Sequence, residues 1–109
     1  MLIIGIDPGY AICGYGIIEE RNHKFRALDY GVITTQARVP FEERLMAIYD
    51  GTRALIERYK PDVMAIEELF FNQNTKTAMG TAQARGVVIL AAAKANLPVF
   101  EYKPSQVKN

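Results

Sequence analysis

Cysteine, histidine and net charge are all scarce in this sequence. A single cysteine among 109 residues excludes an internal disulfide and offers no zinc-ligand spacing. The only histidine, His23, sits in the polar stretch Glu20-Arg21-Asn22-His23-Lys24 and reads as solvated. A formal charge of +1 gives no bulk electrostatic signature, so nucleic-acid binding has to rest on local charge. Long hydrophobic runs are missing too. The longest apolar region is broken by Arg85 and Lys94, which excludes a membrane-spanning length. No basic region followed by an apolar secretion core precedes the first strand. Repeats, low-complexity segments and linkers are also absent. What remains is an ordinary globular balance, 50% hydrophobic and 23% charged, sized for one domain with one core. A cytoplasmic domain spanning 1–109 is the expectation.

The most informative stretch is the first. Leu2, Ile3, Ile4 and Ile6 form an apolar run around Gly5 that predicts a strand buried on both faces. It ends on one carboxylate, Asp7, and Pro8-Gly9 then turn the chain. An ionised acid at the tip of a buried strand must be solvated, paired or bound to metal. A second strand from near Cys13 to Glu19 and a third from Phe25 to Thr35 predict an antiparallel meander, with Tyr15 and Tyr30 in strand packing.

Pro40 then opens a helical segment to Lys60, with Phe41, Leu45, Ile48, Leu55 and Tyr59 on one face and Met46 and Ile56 beside it. Glu42 and Glu43 in its first turn and Arg58 and Lys60 in its last match the helix dipole. Pro61 stops it. Val63 to Glu67 repeats the character of the first strand, and the helical crossover predicts parallel pairing. Phe70 to Asn74 is predicted as a loop with two aromatics, Phe71 packing inward. A second helix follows from Thr75 or Thr77 to about Asn96. Its stripe Ala78-Ala82-Gly86 suits close approach, either to the sheet or to another helix. A last strand covers Leu97 to Tyr102, and Pro104-Ser105 reads as a further helix start.

Asp7 and Glu67 therefore both stand at C-terminal ends of buried strands, where sites form in open α/β sheets. If the strands are neighbours, two carboxylates share one crevice and repel each other. A divalent cation removes that conflict, and carboxylates suit magnesium or manganese. Glu68 is the alternative to Glu67, because successive strand side chains point to opposite faces.

The ordered set IGIDPG, GYGII, AIEELFF, AQARGV and PVFEYKPSQVK resembles the RuvC family of Holliday-junction resolvases along essentially the whole chain. The resemblance implies a ribonuclease H-like fold: a mixed sheet of about five strands, three in a meander and two parallel, flanked by helices. It implies a homodimer and magnesium-dependent, symmetric nicking of four-way DNA junctions in recombination and repair, with branch-migration proteins as possible partners. It implies that Asp7 and Glu67 are catalytic and hold two magnesium ions, with manganese as a substitute. It also implies that Phe70 inserts near the junction point and that Lys108 lies near the scissile phosphate. Lys76 and Arg85 are candidate phosphate contacts, the alternative being a solvated helix face. Two features depart from the family pattern. Two further catalytic aspartates belong to a C-terminal helix that these 109 residues do not reach. The chain alone is therefore expected to be an inactive fragment, with an apolar sheet surface that the helix would cover. Tyr10 also stands where a small hydroxyl residue is usual. Two other readings compete. One is a nucleotide-binding domain of the actin and sugar-kinase type, against which Pro8-Gly9-Tyr10 lacks the usual glycine and hydroxyl run. The other is a non-catalytic DNA-binding or dimerisation fragment.

Overall fold

The computed structural model describes residues 1–9, 11–36, 38–68 and 75–103, with residues 75–77 described by their backbone alone. Phe70, Phe71, Tyr10, Lys108, the helix start at Pro104-Ser105 and the side chain of Lys76 lie outside the described residues.

The elements follow the expected order: β1 (Leu2–Asp7), β2 (Ile12–Arg21), β3 (Lys24–Thr34), α1 (Phe41–Tyr59), β4 (Val63–Glu67), α2 (Thr75–Lys94) and β5 (Val99–Tyr102). They build one five-stranded sheet in the order β3-β2-β1-β4-β5. The first three strands are the antiparallel meander, and β4 and β5 add in parallel. The β2–β3 turn is two residues long, with Asn22 and His23 at φ 51° and 65°. Positive φ at both central residues matches the right-handed twist of the flanking strands, and the backbone N–H of His23 is satisfied by Glu20 Oε2 at 3.2 Å.

β4 is tied to β1 at its entrance. The Asp62 backbone N–H donates to Leu2 O at 2.7 Å. The Leu2 N–H returns the bond to Asp62 Oδ2, also at 2.7 Å. This double tie fixes the register Ile3↔Val63 through Ile6↔Ile66. A slip of one residue would turn every β4 side chain to the other face. Asp62 therefore helps decide which acid ends up beside Asp7.

Both helices lie on one face of the sheet and pack on each other. That face holds the core: Ile4, Ile6, Cys13, Ile17, Met64 and Ile66 from the strands, with Ile48, Ile56, Ala84, Val88 and Ala92 from the helices. Burying each large aliphatic side chain contributes roughly 1.5–3 kcal/mol. The other sheet face is open. Ile12, Tyr30, Val32 and Phe100 project from it with 58%, 80%, 58% and 61% exposure, around a floor of Gly5, Gly14, Gly16 and Ala65.

Four expectations need correction. β1 is not buried on both faces: Ile4 and Ile6 are buried, while Ile3 and Gly5 on the open side are only half-buried. Tyr30 is not packed, because its register partner is Gly16, whose missing side chain leaves the ring nothing to lean on. In α1 the buried ridge is Arg44-Ile48-Thr52-Ile56, and Met46 points to solvent. Two polar residues occupy that ridge because each is satisfied there. Arg44 Nε donates to Thr35 Oγ1 at 3.0 Å, and Thr52 Oγ1 donates to Ile48 O at 2.8 Å. In α2 the buried stripe is Gly80-Ala84-Val88 with Ala91 and Ala92; Gly86 is exposed, so Ala78-Ala82-Gly86 is not the face laid on the sheet.

A candidate metal site at the ends of two parallel strands

Ile6 and Ile66 are register partners, and the next residue on each strand is an acid. Side chains alternate across a strand, so Asp7 joins Ile3 and Gly5, and Glu67 joins Val63 and Ala65, all on the open face. The two carboxyl groups are close enough to share a proton. Glu68 faces the other way, and its backbone N–H donates to Tyr102 O at 2.7 Å. The geometry thus selects Glu67 as the neighbour of Asp7, which strand parity alone leaves open.

The pair is electrostatically unhappy as two anions. The Glu67 carboxyl is pushed up from its ordinary 4.5 to about 7, first by its hydrogen bond with Asp7, then by partial burial and by the Asp7 charge. Near neutral pH the two acids are therefore better accommodated sharing one proton than as two anions. Asp7 is exposed and Glu67 half-buried, so the crevice is open to solvent and to ligand.

Three neighbours shape this site. Tyr102 is the register partner of Glu67 on β5. Burial, followed by the charges of Glu67 and Asp7, raises its phenol further, so it remains a neutral hydroxyl beside two acids. Gly14 is the register partner of Asp7, and a Cβ there would lie 3.8 Å from the Asp7 Cβ. Cys13 faces the core; burial lifts its thiol to about 11 against a backbone hydrogen bond from Gly9. It is the inert core residue its small size suggests. Tyr102 and Gly14 were not legible as site residues, because their role depends on sheet register.

Gly9 makes the turn after Asp7 possible. A Cβ on Gly9 would meet Ile12 O at 2.0 Å, a backbone clash that no rotamer change relieves. Gly9→Ala is expected to destabilise by at least about 2 kcal/mol, lowering Tm by about 10 °C. Gly16→Ala, where a new Cβ meets nothing within 4 Å, is the control and should stay within about 0.5 kcal/mol of the parent in thermal melts.

Arg85 is placed by the structure on the helix side. Its side chain is 16% exposed and its Nη2 sits 2.6 Å from Glu101 Oε1. It is not part of a solvated face. Among the described residues no cluster of three or more His, Cys, Asp or Glu forms, so Asp7 and Glu67 stand as a two-carboxylate set. That set fits a hard divalent cation: its donors are oxygens, and a cation would take the place of the bridging proton. Among the described residues no helix is long and apolar enough to cross a membrane.

Comparison with known proteins places the fold in a family. A family model described as "Crossover junction endodeoxyribonuclease RuvC" matches residues 3–109. Proteins of that name from Moorella thermoacetica and Ruminiclostridium cellulolyticum are 57% and 51% identical over 108 residues, which is 99% of this chain and 65% of each relative. The chain thus spans about two-thirds of the length of the curated relatives it matches. Among solved structures, "T. thermophilus RuvC in complex with Holliday junction substrate" superposes with a TM-score of 0.91 at 35% identity, covering 99% of this chain and 66% of that one. The five-stranded mixed sheet with its two helices is therefore the ribonuclease H-like fold of that family.

Proposed function

The chain belongs to the RuvC family, and we propose that it supplies the first half of the acid site of a structure-selective endonuclease. The substrate is four-way (Holliday) junction DNA, nicked symmetrically in recombination and repair. The observation that carries this reading is the Asp7–Glu67 pair at the ends of adjacent parallel strands, held in register on one face of the sheet. The solved relative with a TM-score of 0.91 is described in complex with a Holliday junction substrate, which supports the same substrate class.

In this reading Asp7 and Glu67 hold magnesium, or manganese in its place. When bound, such ions supply charge neutralisation at a phosphodiester and activation of a water for in-line displacement. The chain's own residues do the rest. The Asp62 tie sets the register, Gly9 leaves room for the turn, and the glycine floor leaves the carboxylates open to a backbone phosphate. Tyr102 offers a neutral hydroxyl at the rim. Phe70 is assigned to the junction point, where stacking of an aromatic on an unpaired base contributes about 1–3 kcal/mol. Lys108 and Lys76 are assigned to phosphates. A homodimer on a two-fold axis places one such site on each of two opposed strands. Branch-migration proteins are the further partners, and the location is cytoplasmic.

Comparing a four-way junction with a linear duplex of the same sequence, in magnesium and in EDTA, tests the proposal. A polypeptide of the relatives' length that contains these residues should nick opposed junction arms at symmetric positions only in magnesium. The 109-residue chain alone should bind junctions weakly and leave them uncut. Saturable ATP binding by calorimetry, without junction preference, would replace the nuclease reading with the sugar-kinase-like one.

A further inference from the structure

Each acid of the pair has a ladder partner on one side only, Asp7 at Gly14 and Glu67 at Tyr102. The β1–β4 ladder ends at Ile6↔Ile66, so Glu67 has its register partner only on the β5 side, at Tyr102. Its backbone needs another anchor if the carboxylate is to keep one direction. α2 provides one. Arg85 Nε donates to the Glu67 carbonyl oxygen at 3.4 Å, while its Nη2 donates to Glu101 Oε1 at 2.6 Å. Glu101 lies on β5 beside Ile66, on the helix side of the sheet. The guanidinium therefore lies beneath the ends of β4 and β5, and the carboxylates of Asp7 and Glu67 lie on the opposite face.

We propose that Arg85 is a positioning residue for the acid site: it clamps the C-terminal ends of β4 and β5 from α2 and so fixes the direction of the Glu67 carboxylate. The proposal rests on the reading of Glu67 as a metal ligand. A planar guanidinium is suited to this task because its fork can serve a carboxylate and a carbonyl at once, which a lysine ammonium does as a point charge only. The action passes through the backbone. The causes of the upward shift at Glu67 are Asp7 and burial, and Arg85 is not among them. A phosphate contact is disfavoured by the same geometry, because the side chain is 16% exposed and already engaged by Glu101.

The test is a Mn2+ titration of the 109-residue chain, followed by paramagnetic broadening of the Gly14 and Tyr102 amide signals well below the melting temperature. Arg85→Met should raise the Mn2+ midpoint about tenfold, as losing a group that orients a metal ligand does. Arg85→Lys should recover most of the lost Tm but little of the midpoint. Glu101→Gln, at a site where the side chain is 57% exposed, should shift the midpoint in the same direction by a smaller factor. Glu67→Gln calibrates the range and should abolish the specific broadening. If Arg85→Met and Glu101→Gln lower Tm and leave the midpoint unmoved while Glu67→Gln shifts it, Arg85 is a structural brace only and the proposal is overturned. If Arg85→Met does not fold, Arg85→Lys and Glu101→Gln decide between the same two results. If Glu67→Gln itself leaves the midpoint unchanged, the metal-ligand reading fails and the role of Arg85 falls with it.

Discussion

In a polypeptide of the relatives' length that contains these residues, Asp7→Asn and Glu67→Gln should each remove magnesium-dependent junction nicking, by about 10³-fold or more, whereas Glu68→Gln should leave it within a few-fold. The contrast between neighbouring glutamates is what makes the expectation sharp. Glu67 shares a face and a hydrogen bond with Asp7, and Glu68 occupies the opposite parity. Each amide substitution is nearly isosteric and keeps the hydrogen-bonding oxygen, so the fold is retained. What is lost is the negative charge that a divalent cation needs. Single-turnover nicking assays with saturating protein separate this loss from weaker junction binding. Equal losses at Glu67 and Glu68 would mean that the strand end is sensitive as a whole and that the carboxylate pair is not the site.

Much of this site was legible before the fold was known, and the reason is local. A β-branched run closed by Asp-Pro-Gly has few alternatives to a buried strand with an acid at its tip. The same holds for Val63 to Glu67 after the proline stop. Crossover helices require parallel pairing, so the strand types followed as well. The adjacency of β1 and β4 was only conditional in the sequence. It depends on Asp62 bonding with the backbone of Leu2 across 60 positions, an interaction no local pattern encodes. The ridge of α1 was misjudged for a related reason. Arg44 and Thr52 count as polar in any periodicity count, yet Thr35 Oγ1 and the Ile48 carbonyl pair with them and admit them to the interior. Tyr30 was read as packed because tyrosine fits strands, but its neighbour across the ladder is Gly16. Arg85 shows the same limit. As a sequence position it was one more basic residue on a helix, and only the placement of Glu101 and the Glu67 carbonyl gives it a task.

The acid pair should also leave a thermodynamic mark in the absence of divalent ions. The Glu67 carboxyl is raised in the folded state, from 4.5 to about 7, so the native protein holds this proton more tightly than the unfolded chain. Stability from this group is present below the unfolded value and is lost as pH rises through about 7. Between these limits the wild-type Tm should fall with pH, and Asp7→Asn should flatten that slope, because it removes the carboxyl that is the largest cause of the shift and also its charge, leaving only partial burial. At about pH 8 in EDTA, Asp7→Asn should then be the more stable protein. The partial exposure of the pair screens the repulsion, so the gain is set at about 1 kcal/mol, or roughly 4–8 °C in Tm. Adding magnesium or manganese should reverse the ranking. The ion stabilises the wild type in proportion to RT ln(1 + [L]/Kd) and has nothing comparable to bind in the variant. Differential scanning calorimetry across pH, with and without the ion, reads both effects. A less stable Asp7→Asn in EDTA would show that the two acids hold the strand ends together as structural partners. The predicted crossing of the two proteins on adding metal identifies instead a fold that tolerates repulsion at one point because a cation is meant to occupy it.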